Sequence, residues 1–368
     1  MRPEVPVEEL TWAAYRIPTD APEADGTYAW DATTMVVVHA RAGGQVGLGW
    51  TYGAAAGGLL VDEVLGRNVT GRDALDVTGA YHAMHRSVRN LGRPGVAATA
   101  ISAVDIALWD LKARLLGVRL ARLLGAVHET VPVYGSGGFT SYDERHLASQ
   151  LGGWVDGQGI PRVKIKIGES WGHEVGRDLS RIAQAREVIG DDAELYVDAN
   201  GGYTRKQAIR VAHRMAPYDV AWFEEPVSSD DLAGLREVRD AVEPDVTAGE
   251  YGWDLPYFQR MCAAGAVDCL QVDASRCGGI TEWVRAAAVA AAHNLDVSAH
   301  CAPHLHLDAA LATPNLRHLE WFHDHVRIES MLLSGTVGAD GGELRPDLTA
   351  PGHGLTFKDS DAQPYRIG

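Results

Sequence analysis

Cysteine is scarce in this sequence and nowhere paired. The four, Cys262, Cys269, Cys277 and Cys301, are scattered over 368 residues without a CxxC spacing. A disulfide framework and a structural zinc site are thereby set aside, and reduced cysteines in an intracellular chain are expected. Positive charge is also in deficit, with 33 Lys and Arg against 49 Asp and Glu and a formal net charge of −16. The acids are spread along the chain, so no basic stripe exists to displace counterions from a nucleic acid. A small anionic ligand stays compatible, because a bound metal and a few lysines reverse the field locally. The opening MRPEVPVEEL has no apolar stretch of the signal-peptide kind, and no later run approaches a membrane span. The expectation is a soluble, cytoplasmic homo-oligomer with neither a membrane nor a nucleic-acid partner.

What the chain does have is apolar material, 46% of its residues, enough for a large core and a length more typical of two domains. Residues 1–60 alternate around the run Met35-Val36-Val37-Val38, bounded by Gly26 and Gly43-Gly44, and read as antiparallel strands. From Val61 to Leu124 the period becomes helical, with one helix expected over Ala97–Leu116 and Gly117 as its C-cap. Strands followed by helices suggest an α+β domain over residues 1–125.

Beyond Gly125, eight short apolar segments alternate with amphipathic ones: VPVY (131–134), VKIKI (163–167), ELYVD (194–198), VAWFE (220–224), VTAGE (246–250), CLQVD (269–273), LDVSAH (295–300) and LRHLEW (316–321). Helices are expected between them, over 176–189, 205–215, 230–241 and 281–293. Eight β/α units predict an α/β fold, a (β/α)₈ barrel over residues 126–327. No GxGxxG follows the first strand, which disfavours a doubly wound open sheet. The Gly- and Pro-rich residues 328–368 are expected to pack back on the N-terminal domain.

Five of the predicted strands end in an ionisable residue: Asp198, Glu224, Glu250, Asp273 and His300. A lone acid after a strand is usually a helix cap, but several consecutive strands ending this way point to the C-terminal mouth of a barrel, where active sites sit. Asp198, Glu224 and Glu250 recur every 26 residues. An all-carboxylate set selects a hard cation, Mg²⁺ with Mn²⁺ as substitute, and ligands so far apart do not form a calcium loop. Lys164 and Lys166 share one side of a strand framed by Val163, Ile165 and Ile167, so both face the barrel interior. A lysine beside a second cation and a metal shifts toward its neutral form, as a general base requires. Asp273 can accept from one nitrogen of His300 and raise the basicity of the other. His304 and His306, on the loop expected after that strand, are rivals to His300, which is preferred because it ends the strand; a zinc hydrolase built on the three histidines is the reading they would support.

The set KIKIG (164–168), VDAN (197–200), FEEP (223–226), GE (249–250), VDASRCGG (272–279), SAH (298–300) and HLE (318–320), with ALWDLKARLLG (107–117), resembles the mandelate racemase subgroup of the enolase superfamily. The resemblance implies a barrel with an N-terminal capping domain and Mg²⁺-dependent removal of the proton alpha to a carboxylate. It implies Asp198, Glu224 and Glu250 as metal ligands, with Lys166 and the His300–Asp273 dyad as bases on opposite faces of the substrate carbon. Lys164 would touch the substrate carboxylate and depress the pKa of Lys166, and a protonated Glu320 would donate to a carboxylate oxygen. Asn200 would contact the substrate or support the ligands. This chemistry is the one general physical accounts already assign to enolase-superfamily sites.

The same equipment serves dehydration of a sugar acid or racemisation of a 2-hydroxy acid. A lid over Arg16–Asp31, carrying Asp20, Glu23, Asp25, Tyr28 and Trp30, and a second loop with Trp50, Thr51 and Tyr52 offer polar groups and aromatic platforms for a polyhydroxylated acid. Dehydration is therefore preferred. A barrel that only binds ligand would show a gap at one functional position, and none is found.

Overall fold

The computed structural model describes residues 5–368. Strands β1 (Glu9–Ala24), β2 (Ala29–Ala42) and β3 (Gln45–Tyr52) form an antiparallel sheet in that order. The unbroken apolar run of β2 arises because both faces of the strand are covered. Met35 and Val37 join the core that runs on into the barrel, whereas Val38, Ala40 and Ala42 join a second core against the cap helices. Those helices are α1 (Val77–Ser87) and α2 (Val96–Leu115), and Gly117 follows α2 at φ 65°, as a left-handed helix end requires.

The barrel strands are β4 (Val131–Gly137), β5 (Arg162–Lys166), β6 (Glu194–Asp198), β7 (Val220–Glu224), β8 (Asp245–Ala248), β9 (Cys269–Val272), β10 (Asp296–Ala299) and β11 (Leu316–Phe322). All pair in parallel with their sequence neighbours, and β11 closes on β4. The intervening helices α3 (Glu144–Gly152), α4 (Val175–Ile189), α5 (Arg205–Met215), α6 (Leu232–Arg239), α7 (Leu255–Ala263) and α8 (Ile280–Ala292) form the outer ring. After β10 comes α9 (Pro303–Leu311), and after β11 comes α10 (His323–Leu332). Inside the barrel the period of two is explicit. Tyr134, Tyr196, Trp222 and His318 meet as an aromatic floor. Two residues further along the same four strands stand Ser136, Asp198, Glu224 and Glu320, all buried.

The C-terminal segment touches both parts. Glu343–Leu344 pairs with the start of β4, His353 N–H donates to Asp110 on α2, and Ile367 N–H donates to Ala14 O on β1.

Two expectations change. The lid is no loop: it is the β1–β2 hairpin, turning over Asp25–Tyr28, with a bulge that sets residues 19–22 opposite Asp31 alone. Likewise His304 and His306 sit on α9 and not on a loop, because the turn closes at Cys301 and Ala302 (φ 50° and 39°) and Pro303 starts the helix.

The cap is fastened to the barrel by a polar stripe on α2. Asp105 is fully buried and accepts from Thr281 N–H (2.9 Å) and Thr281 Oγ1 (2.6 Å) at the start of α8. Ser102 Oγ accepts from Gly278 N–H (2.8 Å), and Trp109 Nε1 donates to Thr281 Oγ1 (2.9 Å). Gly279 must be glycine: its φ is 89°, and a Cβ there would stand 2.3 Å from Asp105 Oδ2. Asp105→Ala should strand two buried donors and cost about 1–3 kcal/mol. Denaturant unfolding measures it, and an unchanged midpoint would show that the stripe does not hold the joint.

Candidate active site

Each functional side chain arises from a strand whose alternate residues are apolar and face the helices. In β5, Val163 and Ile165 lie in the outer core while Lys164 and Lys166 point inward. In ring order the carboxylates of β6, β7 and β8 are flanked by the lysines of β5 on one side and by β9 and β10 on the other. Oxygens of Asp198, Glu224 and Glu250 all lie within 4.8 Å of one another. Glu250 stands two residues past β8, after Gly249. Gly249 has φ 137° and leaves no room for a Cβ, which would fall 2.1 Å from Gln271 O. The chain therefore needs glycine there to bring Glu250 to the other two.

The trio fits a hard cation. Glu250 Oε2 is buried and makes no hydrogen bond, and neither do Asn200 Oδ1 and Glu225 Oε1. Burial and the neighbouring Asp198 push Glu224 up to about 8, the mark of carboxylates crowded beyond what the lysines neutralise. Lys164 Nζ donates to both oxygens of Glu224 (2.7 and 2.6 Å) and lies 2.8 Å from Glu320 Oε1. Lys166 Nζ donates to Asp198 Oδ2 at 2.5 Å.

At the other end, His300 Nδ1 is hydrogen-bonded to Asp273 Oδ2 (2.8 Å), and Nε2 is 3.3 Å from Glu250 Oε2. Burial opposes the imidazolium, but Glu250 and Asp273 outweigh it, so His300 is held above its ordinary range. Asp273 is held low by the His300 bond despite its burial. Lys166 and His300 thus bracket the carboxylate trio from its two ends.

Lys166 and Glu320 each take their pKa direction from the charges beside them. Burial favours neutral Lys166 and Lys164 pushes the same way, yet Asp198 prevails and the pKa is raised. Sharing Asp198 with a cation is what would relieve this. Glu320 accepts from Ser136 Oγ (2.6 Å) and Cys301 N–H (2.8 Å) and pairs with Lys164; burial raises its pKa, but the charges of Lys164, His300 and Lys166 hold it well below the usual carboxylate range.

Other expected residues divide. Asn200 N–H donates to Asp198 Oδ1 (2.9 Å), which sets Asn200 beside the trio. Trp30 lies on the underside of the lid, with Nε1 donating to Glu23 Oε2 (2.7 Å) and its edge on Phe139. Tyr28 is 70% exposed at the hairpin tip, where it stacks on Trp30. Trp50 is not at the site: it is fully buried in the core, against His353. Tyr52 is committed elsewhere, stacked on His325 with its hydroxyl on Glu329 (3.3 Å). Both belong to β3 rather than to a loop, so their side chains are fixed by sheet packing. The rival histidines are occupied at both nitrogens. His304 binds Glu329 and Val337 O; His306 accepts from Ala274 N–H (2.8 Å) and contacts the Cys301 and Ala302 carbonyls, bracing the loops of Asp273 and His300. A three-histidine zinc centre is not assembled.

Three neighbours escaped the sequence reading. Arg276 Nη1 lies 3.3 Å from Glu250 Oε1, and its Nε lies 3.4 Å from Asp273 Oδ2, tying a trio member to the dyad. Ser136 could have been found as the inward residue two past Tyr134. Cys301 Sγ lies 3.3 Å from His300 Nε2, a contact made by the left-handed turn and without a sequence signal.

Comparison with known proteins agrees with this geometry. Residues 146–362 match the enolase C-terminal domain-like family, and residues 14–125 match the mandelate racemase/muconate lactonizing enzyme N-terminal domain. The chain belongs to the mandelate racemase/muconate lactonizing enzyme family. It is 32% identical to a 3,6-anhydro-α-L-galactonate cycloisomerase of Streptomyces coelicolor, over 95% of this chain and 97% of that one. It is 34% identical to an L-talarate/galactarate dehydratase of Salmonella typhimurium, over 76% and 71% of the two. Among solved structures, a mandelate racemase/muconate lactonizing enzyme-like protein from Rubrobacter xylanophilus shares 50% identity at a TM-score of 0.95, covering 98% and 99%. A Streptomyces coelicolor racemase with bound magnesium shares 30% identity at 0.92, covering 98% and 100%. This member of the family is an Mg²⁺-dependent enzyme of the lyase and racemase type. No helix among the described residues is long and apolar enough to cross a membrane.

Proposed function

We propose that the enzyme dehydrates a sugar acid to a 2-keto-3-deoxy acid, with Asp198, Glu224 and Glu250 holding Mg²⁺. The observation that carries the reading is the placement of Lys166 and His300 at the two ends of one carboxylate trio. Bound there, Mg²⁺ supplies positive charge to the substrate carboxylate, whose negative charge grows as the alpha proton leaves. Lys166, as the neutral amine, takes the proton from C2. Lys164 faces the oxygens where the charge accumulates, and Glu320 and Glu224 hold its ammonium in place. His300, oriented through Nδ1 by Asp273, presents Nε2 to the opposite side, where it delivers a proton to the departing 3-hydroxyl. Water leaves, and the enol tautomerises to the ketone. Dehydratases among the curated relatives and the acid-bearing lid support this choice over racemisation.

The paired bases also suit a racemase, which would use Lys166 and His300 alternately on one carbon. A panel of aldonic and aldaric acids, assayed with semicarbazide for a 2-keto product, separates the two. A 2-keto acid from at least one sugar acid is expected. If none forms while a simple 2-hydroxy acid is racemised with useful kcat/KM, the racemase reading replaces this one.

A further inference from the structure

A second group of ligand-type side chains stands beside the carboxylate trio, at the ends of β10 and β11. The left-handed turn at Cys301 (φ 50°) folds its side chain back, so that Sγ lies 3.3 Å from His300 Nε2. Cys301 N–H donates to Glu320 Oε2 (2.8 Å), and that oxygen lies 3.9 Å from the same Nε2. Ligand-type atoms of His300, Cys301 and Glu320 all lie within 4.8 Å of one another, and the three residues are buried. The nitrogen, sulfur and oxygen ligands of a tetrahedral zinc ion, with bonds of about 2.0–2.3 Å, stand roughly 3.4–3.6 Å apart. The two distances to Nε2 fall on either side of that range, so small side-chain adjustments complete the geometry. His300 Nδ1 is bonded to Asp273, which leaves Nε2 to ligate, its ring oriented by a carboxylate as metal-bound histidines are. Glu250 Oε2 is buried without a hydrogen bond and 3.3 Å from Nε2, so a further oxygen adjoins the group.

We propose that His300 Nε2, Cys301 Sγ and Glu320 Oε2 form a second cation site, selective for a thiophilic metal such as Zn²⁺ or Cd²⁺, and that its occupation silences the enzyme. The site stands on geometry alone, whereas the loss of activity rests on the proton-transfer role given to His300. The donor set differs from that of the trio. A thiolate with an imidazole favours Zn²⁺ over Mg²⁺, while carboxylates alone suit the harder ion. Binding releases the thiol proton to solvent, forms a metal–sulfur bond and engages the lone pair of Nε2. His300 then has no nitrogen with which to deliver a proton, and added Mg²⁺ does not compete for the sulfur. The other cysteines offer no such place: Cys262, Cys269 and Cys277 are buried and belong to no metal-ligand group among the described residues.

The test titrates the Mg²⁺-loaded full chain with Cd²⁺, reading the ultraviolet sulfur-to-metal charge-transfer band, and with Zn²⁺ by calorimetry. An equivalent of Cd²⁺ should raise the band, and Cys301→Ala should abolish it. Alanine keeps the backbone N–H that Glu320 accepts from, and circular dichroism confirms the fold. The variant should bind Zn²⁺ at least about 100-fold more weakly, since losing groups that merely orient ligands already costs about 10–100-fold. With any acid the enzyme turns over, Zn²⁺ should inhibit the native chain even in excess Mg²⁺, and Cys301→Ala should require at least about tenfold more of it. No band, or the same band in Cys301→Ala, would overturn the site whatever the reaction proves to be. Inhibition relieved by excess Mg²⁺ and unchanged in the variant would put Zn²⁺ in the trio and overturn it equally. A band that depends on Cys301 while turnover is unaffected would overturn the silencing, and the role of His300 with it.

Discussion

Replacing Lys166 by Ala or His300 by Asn should each lower net turnover by about 10³-fold or more, at the upper part of the range for a positioned acid or base. The two variants should differ in what survives. His300→Asn leaves Lys166 beside Asp198 and should still exchange, in deuterium oxide, the alpha proton of the configuration facing β5. Lys166→Ala leaves the dyad intact and should exchange the opposite configuration. Both substitutions are compatible with folding. Asn at position 300 can still donate to Asp273, and Asp198 keeps Lys164 at 3.6 Å when Lys166 is shortened. Circular dichroism confirms the fold, and proton NMR reads the exchange. Unaltered exchange of both configurations in both variants would show that the reacting carbon lies elsewhere.

Removing the metal should abolish activity altogether, and adding Mg²⁺ after chelation should restore it, with Mn²⁺ a partial substitute because oxygen ligands accept either. Glu224→Gln is the sharpest single change. Its carboxylate accepts from Lys164 twice and from Trp222 Nε1 (3.0 Å), so an amide of the same size keeps the packing and loses the charge. Groups that merely orient metal ligands cost about 10–100-fold in affinity when lost, so removing a ligand's charge should cost at least about 100-fold. Calorimetric Mg²⁺ titration of the variant measures it. Full turnover in excess chelator would sink the metal assignment.

Much of the site was legible because a barrel converts strand position into spatial position. Residues ending successive parallel strands converge, so Asp198, Glu224, Asp273 and His300 could be grouped before any coordinate was known. Period-two alternation likewise put Lys164 and Lys166 on the inner face. The cap was harder to read. Trp50 and Tyr52 resemble pocket aromatics in the sequence, yet one packs against His353 and the other against His325. Those partners lie hundreds of residues away, and local pattern carries no record of them. Protonation was harder still, since Lys166 and Glu320 take their states from charges contributed by other strands.

By itself, then, the sequence determined the eight-unit repeat, the identity and order of the ionisable strand ends, and the oxygen-only character of the carboxylate trio. These depend on short-range periodicity and on donor chemistry, both of which are written residue by residue. Only the tertiary structure decided that His306 braces the loops that carry Asp273 and His300 while His304 is tied to Glu329 and Val337, that Ser136 and Cys301 pin Glu320, and that Asp20, Glu23 and His323 meet above the mouth. Each of these is a contact between elements far apart in the chain, set by the closure of β11 on β4 and the docking of a hairpin across it, and such closure is a property of the packed whole.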